Sequence, residues 1–560
     1  MASLFVVVAW RSVGSVNTLW DEQTDHSIAT ALVKHPLWGN GEDSSQARLP
    51  MYVTAAVYAC VGESLSVARL VSIVVGALTV VMTFVAGWRW FSRATGLLAA
   101  GLLTISPYFI GFSRTAMTEG DAFCPLTVLL VLLAFEAYLR RRDSQSLLIL
   151  ATTLGVALAT KFYAVFFVPA LIGCDLLQSG KEQGGKGDRC SRTHRSLIAW
   201  IMAAAALEFM AIGAAQGQRV NLSIAIWAAG VLIALLAARL LILHQAVRWP
   251  ATVGWLAILP VAATVCLAAF PEHVIQPAVA RALLWRLFHW DNTQPLSLFV
   301  DHARLYSGIV LLKLGVPLGL LSVAALVWAC LRAIRDLVMR RVVAAFAVYT
   351  ILLTTLPLRQ TFYLMSVYPL LVLMLAGFIV QVTHALRDRV VVRRLWITIV
   401  ATSHLWLIWG DVHVYPDFGL YGYETIGDRW LGDESRGYRN VIQMTNDGTE
   451  DALRWLVDHV PTGARVVSYL GDDHVIDAFV DRQPLTFELT RRHADSDWTR
   501  GPAIDDADYL LVSINNEVMY GDAPPVANRA ARFEPVHTIW RGRGRYRMPM
   551  VRIYRRRPSY

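Results

Sequence analysis

Two short acidic stretches and three isolated cations are the residues of this sequence best suited to chemistry. Asp21 and Glu22 stand in Leu19-Trp-Asp-Glu-Gln-Thr-Asp25, and Asp121 closes Ser113-Arg-Thr-Ala-Met-Thr-Glu-Gly-Asp121. Lys161 follows the apolar run Gly155-Val-Ala-Leu-Ala-Thr160, Arg114 lies in the second acidic stretch, and Arg359 opens Arg359-Gln-Thr-Phe-Tyr363. Each has a bland reading. Hydrated loops tolerate carboxylates, Asp121 at a helix start favours the dipole, and a lysine at a membrane face can snorkel to water. Ionisable residues bordering long apolar runs are costly, however, and that cost makes them functional candidates. A carboxylate can serve as general base and a fixed cation can balance a phosphate. The set suits an enzyme acting on a lipid-phosphate-linked substrate, provided the fold brings its members to one membrane face.

The elements that position them are apolar. Of 560 residues, 55% are hydrophobic and 17% charged, with mean hydropathy +0.45; a soluble domain carries about 25% charge. So few charges cannot cover so much apolar surface, and the six Cys mostly lie inside apolar runs (Cys124, Cys174, Cys266, Cys330), which excludes a disulfide scaffold. The composition is that of a polytopic membrane protein. The net charge of +9 does not indicate a nucleic-acid partner. Its basic residues gather in short breaks at Arg89 and Arg93, Arg140–Arg142, Lys181–Arg195, Arg332–Arg341 and Arg387–Arg394, alternate loops of the kind that set membrane orientation.

Runs long enough to approach or cross a bilayer fall near 3–18, 64–88, 94–112, 122–139, 146–160, 162–178, 197–214, 222–243, 251–270, 305–330, 342–357, 362–382 and 395–411. These are about thirteen spans, forming a mainly α transmembrane domain over 1–411. With every basic cluster cytoplasmic, the N-terminus is inside, and loops 19–63, 113–121, 271–304 and 357–361 and everything after 411 are outside. The first run reads as a retained anchor rather than a signal peptide. Arg48-Leu-Pro-Met-Tyr-Val-Thr54 is too short to span and suits the interface.

After Asp411 acidic and turn residues become frequent. Glu450–Val460 reads as an amphipathic helix, Ala464–Leu470 and Asp508–Ile514 as buried strands, and 473–481 as helical. Residues 412–560 are therefore expected to form a small extracytoplasmic α/β domain. They show neither a Gly-rich phosphate loop nor Cys/His metal spacing, and Gly184-Gly-Lys-Gly187 lacks phosphate-loop spacing. His273, His289, Asp291, Asp301 and His302 in the 271–304 loop suit a metal or an acceptor less well than ordinary hydration.

Taken in order, these motifs resemble the GT-C superfamily of integral-membrane glycosyltransferases, in particular the glycosyltransferase family 39-like enzymes: protein O-mannosyltransferases, aminoarabinose transferases and the bacterial group that modifies lipopolysaccharide. The resemblance rests on Asp21-Glu22, His35-Pro-Leu37, Ala68-Arg-Leu-Val-Ser72, Ser106-Pro107 with Ser113-Arg114 and Asp121, Thr160-Lys161, and Arg359 to Tyr363 with Pro369. It covers roughly the first 180 residues and the 355–380 region. It implies a sugar donor joined to polyprenyl phosphate, a cell-envelope acceptor, surrounding membrane lipids, and an inverting transfer at the outer face of the cell (inner or plasma) membrane. Asp21 would be the base, Glu22 and Asp121 would orient it or the acceptor, and Lys161, Arg114 and Arg359 would hold the donor phosphate. His35 and Tyr363 would support the acceptor or the structure. It names no cofactor and leaves a divalent cation open. A lipid or glycan transporter or flippase explains the hydropathy and cations equally well, but not Asp21-Glu22 beside His35-Pro-Leu37, and transporters usually show repeated halves, which this sequence lacks. A membrane anchor displaying its C-terminal domain is the third reading.

Overall fold

The computed structural model describes residues 1–11, 13, 20–35, 48–116, 122–182, 251–268, 306–308, 311, 313–354, 361–415, 448–469, 475–476, 479–480, 483–491, 506–513, 532–541 and 548–558. The expected runs at 197–214 and 222–243 and the 271–304 loop with its histidines lie outside these residues.

Helices dominate: α1 (Ala2–Arg11), α2 (Trp20–Lys34), α3 (Leu49–Val61), α4 (Leu65–Trp90), α5 (Arg93–Thr104), α6 (Pro107–Ser113), α7 (Phe123–Arg141), α8 (Ser144–Thr160), α9 (Phe167–Glu182), α10 (Ala251–Ala268), α11 (Gly315–Ala333), α12 (Leu337–Leu353), α13 (Tyr368–Ala385), α14 (Val390–Val414) and α15 (Thr449–His459). Short 3₁₀ turns at Phe162–Phe166 and Thr361–Val367 precede α9 and α13. Among the described residues five helical segments are long and apolar enough to cross a membrane: α4, α7, α11, α13 with its preceding turn, and α14. This is the helix set of a multi-pass membrane protein.

The run expected as one span at 94–112 is two helices, α5 and α6, bent by 64°. Pro107 at the start of α6 forces the break, because it has no N–H to continue the ladder, and Ser106 caps the new helix by accepting from Phe109 N at 3.4 Å. The expected span at 305–330 is likewise interrupted: residues 306–308 and 311 are helical, a turn follows at 313–314, and α11 starts at Gly315, whose φ of 73° lies where glycine is preferred. The first run is described as helix over Ala2–Arg11, and the expected outer loop 19–63 holds two helices, α2 and α3.

Side-chain bonds fix which helix ends lie together. Arg89 and Trp90 at the end of α4 meet Glu136 near the end of α7. Trp255 near the start of α10 meets Asp175 on α9, and Arg341 near the start of α12 meets Gln178 of α9. Arg332, ending α11, meets Gln381, ending α13. This end carries the basic clusters. At the opposite end lie the starts of α4, α7 and α13, the ends of α8 and α12, and the ends of α1 and α14, which Tyr415 joins by donating to the Arg11 carbonyl at 2.9 Å. The alternation agrees with the pattern read from the charges.

Beyond α14 a five-stranded sheet has the order β2-β1-β3-β5-β4, built from β1 (Arg465–Tyr469), β2 (Glu488–Arg491), β3 (Tyr509–Ser513), β4 (Phe533–Arg541) and β5 (Met548–Arg556). β1 runs parallel to β2 and β3, and β5 antiparallel to β3 and β4. The amphipathic α15 buries Ala452, Leu453 and Leu456.

Small residues let the membrane helices approach. A Cβ on Gly96 would stand 2.5 Å from the Phe84 carbonyl oxygen and 2.8 Å from Trp88 N, and one on Gly87 2.6 Å from Gly96 Cα. Close backbone approach is what glycine permits between membrane helices. Gly96→Ala should force α4 and α5 apart and destabilise by about 1–3 kcal/mol, as overpacking does. A melting curve in detergent checks this; an unchanged midpoint would show the contact to be loose.

Candidate active site

Glu22 lies in the first turn of α2 and is fully buried. Arg69 of α4 holds it in a two-pronged ion pair: Nε donates to Oε1 at 3.0 Å and Nη2 to Oε2 at 2.8 Å. The third prong, Nη1, donates to the Val13 carbonyl at 3.0 Å. The Ala116 backbone N–H donates to Oε1 as well. One carboxylate thus ties the chain near residues 13, 22, 69 and 116. Arg114, two residues before Ala116 and itself only 1% exposed, is carried into the same neighbourhood.

The second group is Lys161 and Tyr363. Lys161 ends α8 in an extended conformation, its backbone N–H donating to the Ala157 carbonyl at 2.9 Å, and is 7% exposed. Its Nζ lies 5.2 Å from the centre of the Tyr363 ring, a cation–π distance. Tyr163 packs edge-on against the same ring at 4.9 Å, and Tyr349 donates to the Tyr363 carbonyl at 3.4 Å. This aromatic wall belongs to α12, the turn before α9 and the turn before α13.

The predicted residues therefore divide. Glu22, Arg114, Lys161 and Tyr363 fall at one end of the bundle, opposite the basic clusters. Asp21 is the second residue of α2, one position before the clamp, and its side chain is outside the described set, as are Asp121 and Arg359. His35 does not join them. It follows α2, is exposed, and stands thirteen residues, roughly 20 Å of helix, from Glu22.

Two groups escaped the sequence reading. Arg69 was noticed only as part of a motif, and its partner 47 residues away is a tertiary fact. Arg48 is fully buried just before α3, where the helix dipole disfavours a cation; that mismatch was the available signal. Leu49 packs on the cluster of Ala159 and Cys266, so Arg48 enters beside the end of α8, where Lys161 stands.

Between α2 and α3 lies a further titratable pair. His26 Nδ1 is 2.6 Å from the Tyr58 hydroxyl. Burial lowers the His26 pKa against the opposing pull of Glu63 and Glu22. Burial raises that of Tyr58, with Glu63 and Asp25 adding to it. Both shifts favour the neutral forms here. Among the described residues no group of three His, Cys, Asp or Glu is placed to hold a metal.

With this geometry in hand the class can be stated. Residues 45–184, a quarter of the chain, match the family model described as Dolichyl-phosphate-mannose-protein mannosyltransferase; the match supports the GT-C resemblance. The chain is also similar to the Archaeoglobus fulgidus oligosaccharyltransferase in its apo form, at 12% identity and TM-score 0.46 over 92% of this chain and 70% of that one. It is similar to ArnT from Cupriavidus metallidurans bound to undecaprenyl phosphate, at 14% identity and TM-score 0.41 over 98% and 96%. Overlaps at these scores bear on neither the fold nor the chemistry argued here. No curated protein sequence matches the chain.

Arg69→Met leaves the buried Glu22 carboxyl without the guanidinium that pairs with it, a loss of about 3–5 kcal/mol. Its melting midpoint in detergent should drop sharply, and the double variant Glu22→Gln/Arg69→Met should recover much of that drop. A single variant that melts like the wild type would show the pair to be dispensable to the fold.

Proposed function

We propose that this protein is an inverting glycosyltransferase that moves a sugar from a polyprenyl-phosphate donor to a cell-envelope hydroxyl at the outer face of the cell membrane, with its N-terminus cytoplasmic and residues 412–560 a domain outside. The observation that carries the proposal is the gathering of the Asp21-Glu22 segment, Arg114, Lys161 and Tyr363 at the bundle end opposite the basic clusters. The family-model match, to enzymes described by a lipid-phosphate-linked mannose, supports the donor class.

The chemistry balances without a cofactor. The acceptor O–H loses its proton to the Asp21 carboxylate as its oxygen attacks the anomeric carbon from the face opposite the phosphate. The new C–O bond forms as the bond to the phosphate oxygen breaks, inverting the centre. The departing polyprenyl phosphate gains a full negative charge, which preorganised cations stabilise most in a site screened from water. Lys161, Arg114 and Arg359 fill that role, with Arg48 a further buried cation at this end. Glu22 is a positioning residue, because its oxygens are taken by Arg69 and Ala116 N. Asp121 orients the acceptor or the base.

Asp21→Asn keeps size and hydrogen bonding but cannot take the proton, and should lower kcat by about 100-fold or more with donor binding retained. The assay is sugar transfer from a polyprenyl-phosphate donor in detergent. Near-normal Asp21→Asn activity beside a dead Asp121→Asn variant would move the base to the second stretch.

Lys161→Met removes the charge and keeps the stem. If Lys161 holds the donor phosphate, donor binding should weaken about ten- to a hundredfold, the worth of a charge-assisted hydrogen bond, in a protein that remains folded. Lys161→Arg should restore only part, since a planar guanidinium presents its donors differently from an ammonium. A stable, fully active Lys161→Met protein would remove the residue from the site.

A further inference from the structure

The domain beyond α14 carries a solvent-open groove that sugar-transfer chemistry leaves unused. One wall is a stripe of α15 formed by Glu450, Arg454 and Asp458. These residues are four apart and so share one side of the helix, beside the buried stripe of Ala452, Leu453 and Leu456. The other wall is Phe479 and Gln483, again four apart. Residues 479–480 are helical, and the Gln483 backbone N–H donates to the Phe479 carbonyl at 2.9 Å. The groove has a volume of about 360 Å³, within the range of small-ligand sites. Its α15 wall runs eight residues, roughly 12 Å of helix, which is room for more than one sugar ring.

The walls are polar and satisfy one another only in part. Glu450, near the start of α15, accepts from Arg454 at 2.9 Å. Asp458 and Gln483 are exposed, and among the described residues neither side chain has a hydrogen-bond partner. Phe479 forms the floor and is only 3% exposed, so an apolar ligand finds little surface here. Two carboxylates against one guanidinium leave a net charge of minus one, which disfavours phosphate and other anions. What the groove offers is both senses of hydrogen bond: the carboxylates accept, the guanidinium donates, and the amide does both. Neighbouring hydroxyls on a sugar ring, each able to donate and accept, use all three.

We propose that this groove binds a neutral saccharide, the glycan part of the acceptor to which the sugar is transferred. The free Asp458 carboxylate accepts from ring hydroxyls, and the Gln483 amide and Arg454 guanidinium donate to the hydroxyl oxygens beside them. The groove contains no residue assigned to the transfer step. Its role as an acceptor site rests on the proposed glycosyltransferase function; the binding itself does not.

Saturation-transfer NMR tests it on the full-length protein in a detergent without a sugar headgroup. The probes are mannotriose, maltotriose and triacetylchitotriose, with spermidine and inorganic phosphate as the charged alternatives. At least one trisaccharide should give a saturable signal at millimolar concentration. Asp458→Ala should weaken that binding about tenfold, the worth of a hydrogen bond to a charged group. Gln483→Ala should weaken it about threefold, the worth of a neutral one. Both positions are exposed, so both variants keep the fold. Glu488→Gln, 74% exposed on β2 and outside the groove, should leave binding unchanged, as should Asp21→Asn. No saturable signal from any trisaccharide, or a signal indifferent to Asp458→Ala and Gln483→Ala, would overturn the site. A signal lost in Asp21→Asn instead would place the sugar elsewhere and overturn it too. Tighter binding of spermidine or phosphate, weakened by the same groove variants, would overturn the ligand class. Trisaccharide binding by a protein that transfers no sugar would leave the groove standing and remove only its role as an acceptor site.

Discussion

The ion pair between Glu22 and Arg69 is the constraint on which the end of the bundle opposite the basic clusters depends. Taking both charges out of water is expensive, and mutual attraction offsets that cost only where geometry is good and the remaining donors and acceptors are used. Here they are used: the guanidinium spends Nε and Nη2 on the carboxylate and Nη1 on the Val13 carbonyl, and the carboxylate takes the Ala116 N–H besides. Any displacement of α2 against α4 breaks several of these bonds together. Segments far apart in sequence are therefore held in one arrangement by side chains that never need to touch a substrate.

The opposite end uses the same device for a different outcome. Glu136 and Asp175 are buried carboxylates fixed by arginines and by indoles, Trp90 and Trp255. They join α4 to α7, α7 to α9 and α9 to α10, so both ends of the apolar bundle are tied by acid–base pairs. The difference lies in the acceptors. At the end opposite the basic clusters Arg69 donates to Glu22 and to the Val13 carbonyl. At the basic end Arg340 and Arg341 also donate to the carbonyls of Ala333 and Ile334 and to the Gln178 amide oxygen.

The parts of this architecture legible in the sequence are those set by local composition. The run at 64–88 became Leu65–Trp90, that at 122–139 became Phe123–Arg141, and the helix at Glu450–Val460 became Thr449–His459, because hydropathy and amphipathic spacing are properties of neighbouring residues. Strands β1 and β3 were visible as apolar runs inside the sheet. β2, β4 and β5 were not: Met548-Pro-Met-Val-Arg-Ile-Tyr-Arg-Arg556 mixes arginines into its strand, and β4 is an edge strand with much of its length half-exposed. The bend at Pro107 was written in Ser106-Pro107 yet hidden by the continuous hydropathy around it. Within the site, the residue types were legible and their partners were not. Tyr163 and Tyr363 meet across 200 residues, and nothing local encodes such a meeting.

The acidic pair itself shows how the site divides its labour. A general base needs a lone pair that reaches the substrate's proton. Glu22 is held in this arrangement, since Oε1 accepts from Arg69 and Ala116 and Oε2 from Arg69, all within a buried pocket. Freeing it would leave Arg69 buried without its counter-charge, a penalty of about 3–5 kcal/mol that a reaction step would have to overcome on every turnover. Residue 21 is the preceding position of α2 and lies about 100° round the helix axis from residue 22, so the bonds that fix one do not by geometry engage the other. Two adjacent carboxylates on a helix thus suit two tasks. Glu22 sets where α2 begins relative to α4 and the segment at Ala116, and the role of base proposed for its neighbour Asp21 leaves that anchor intact.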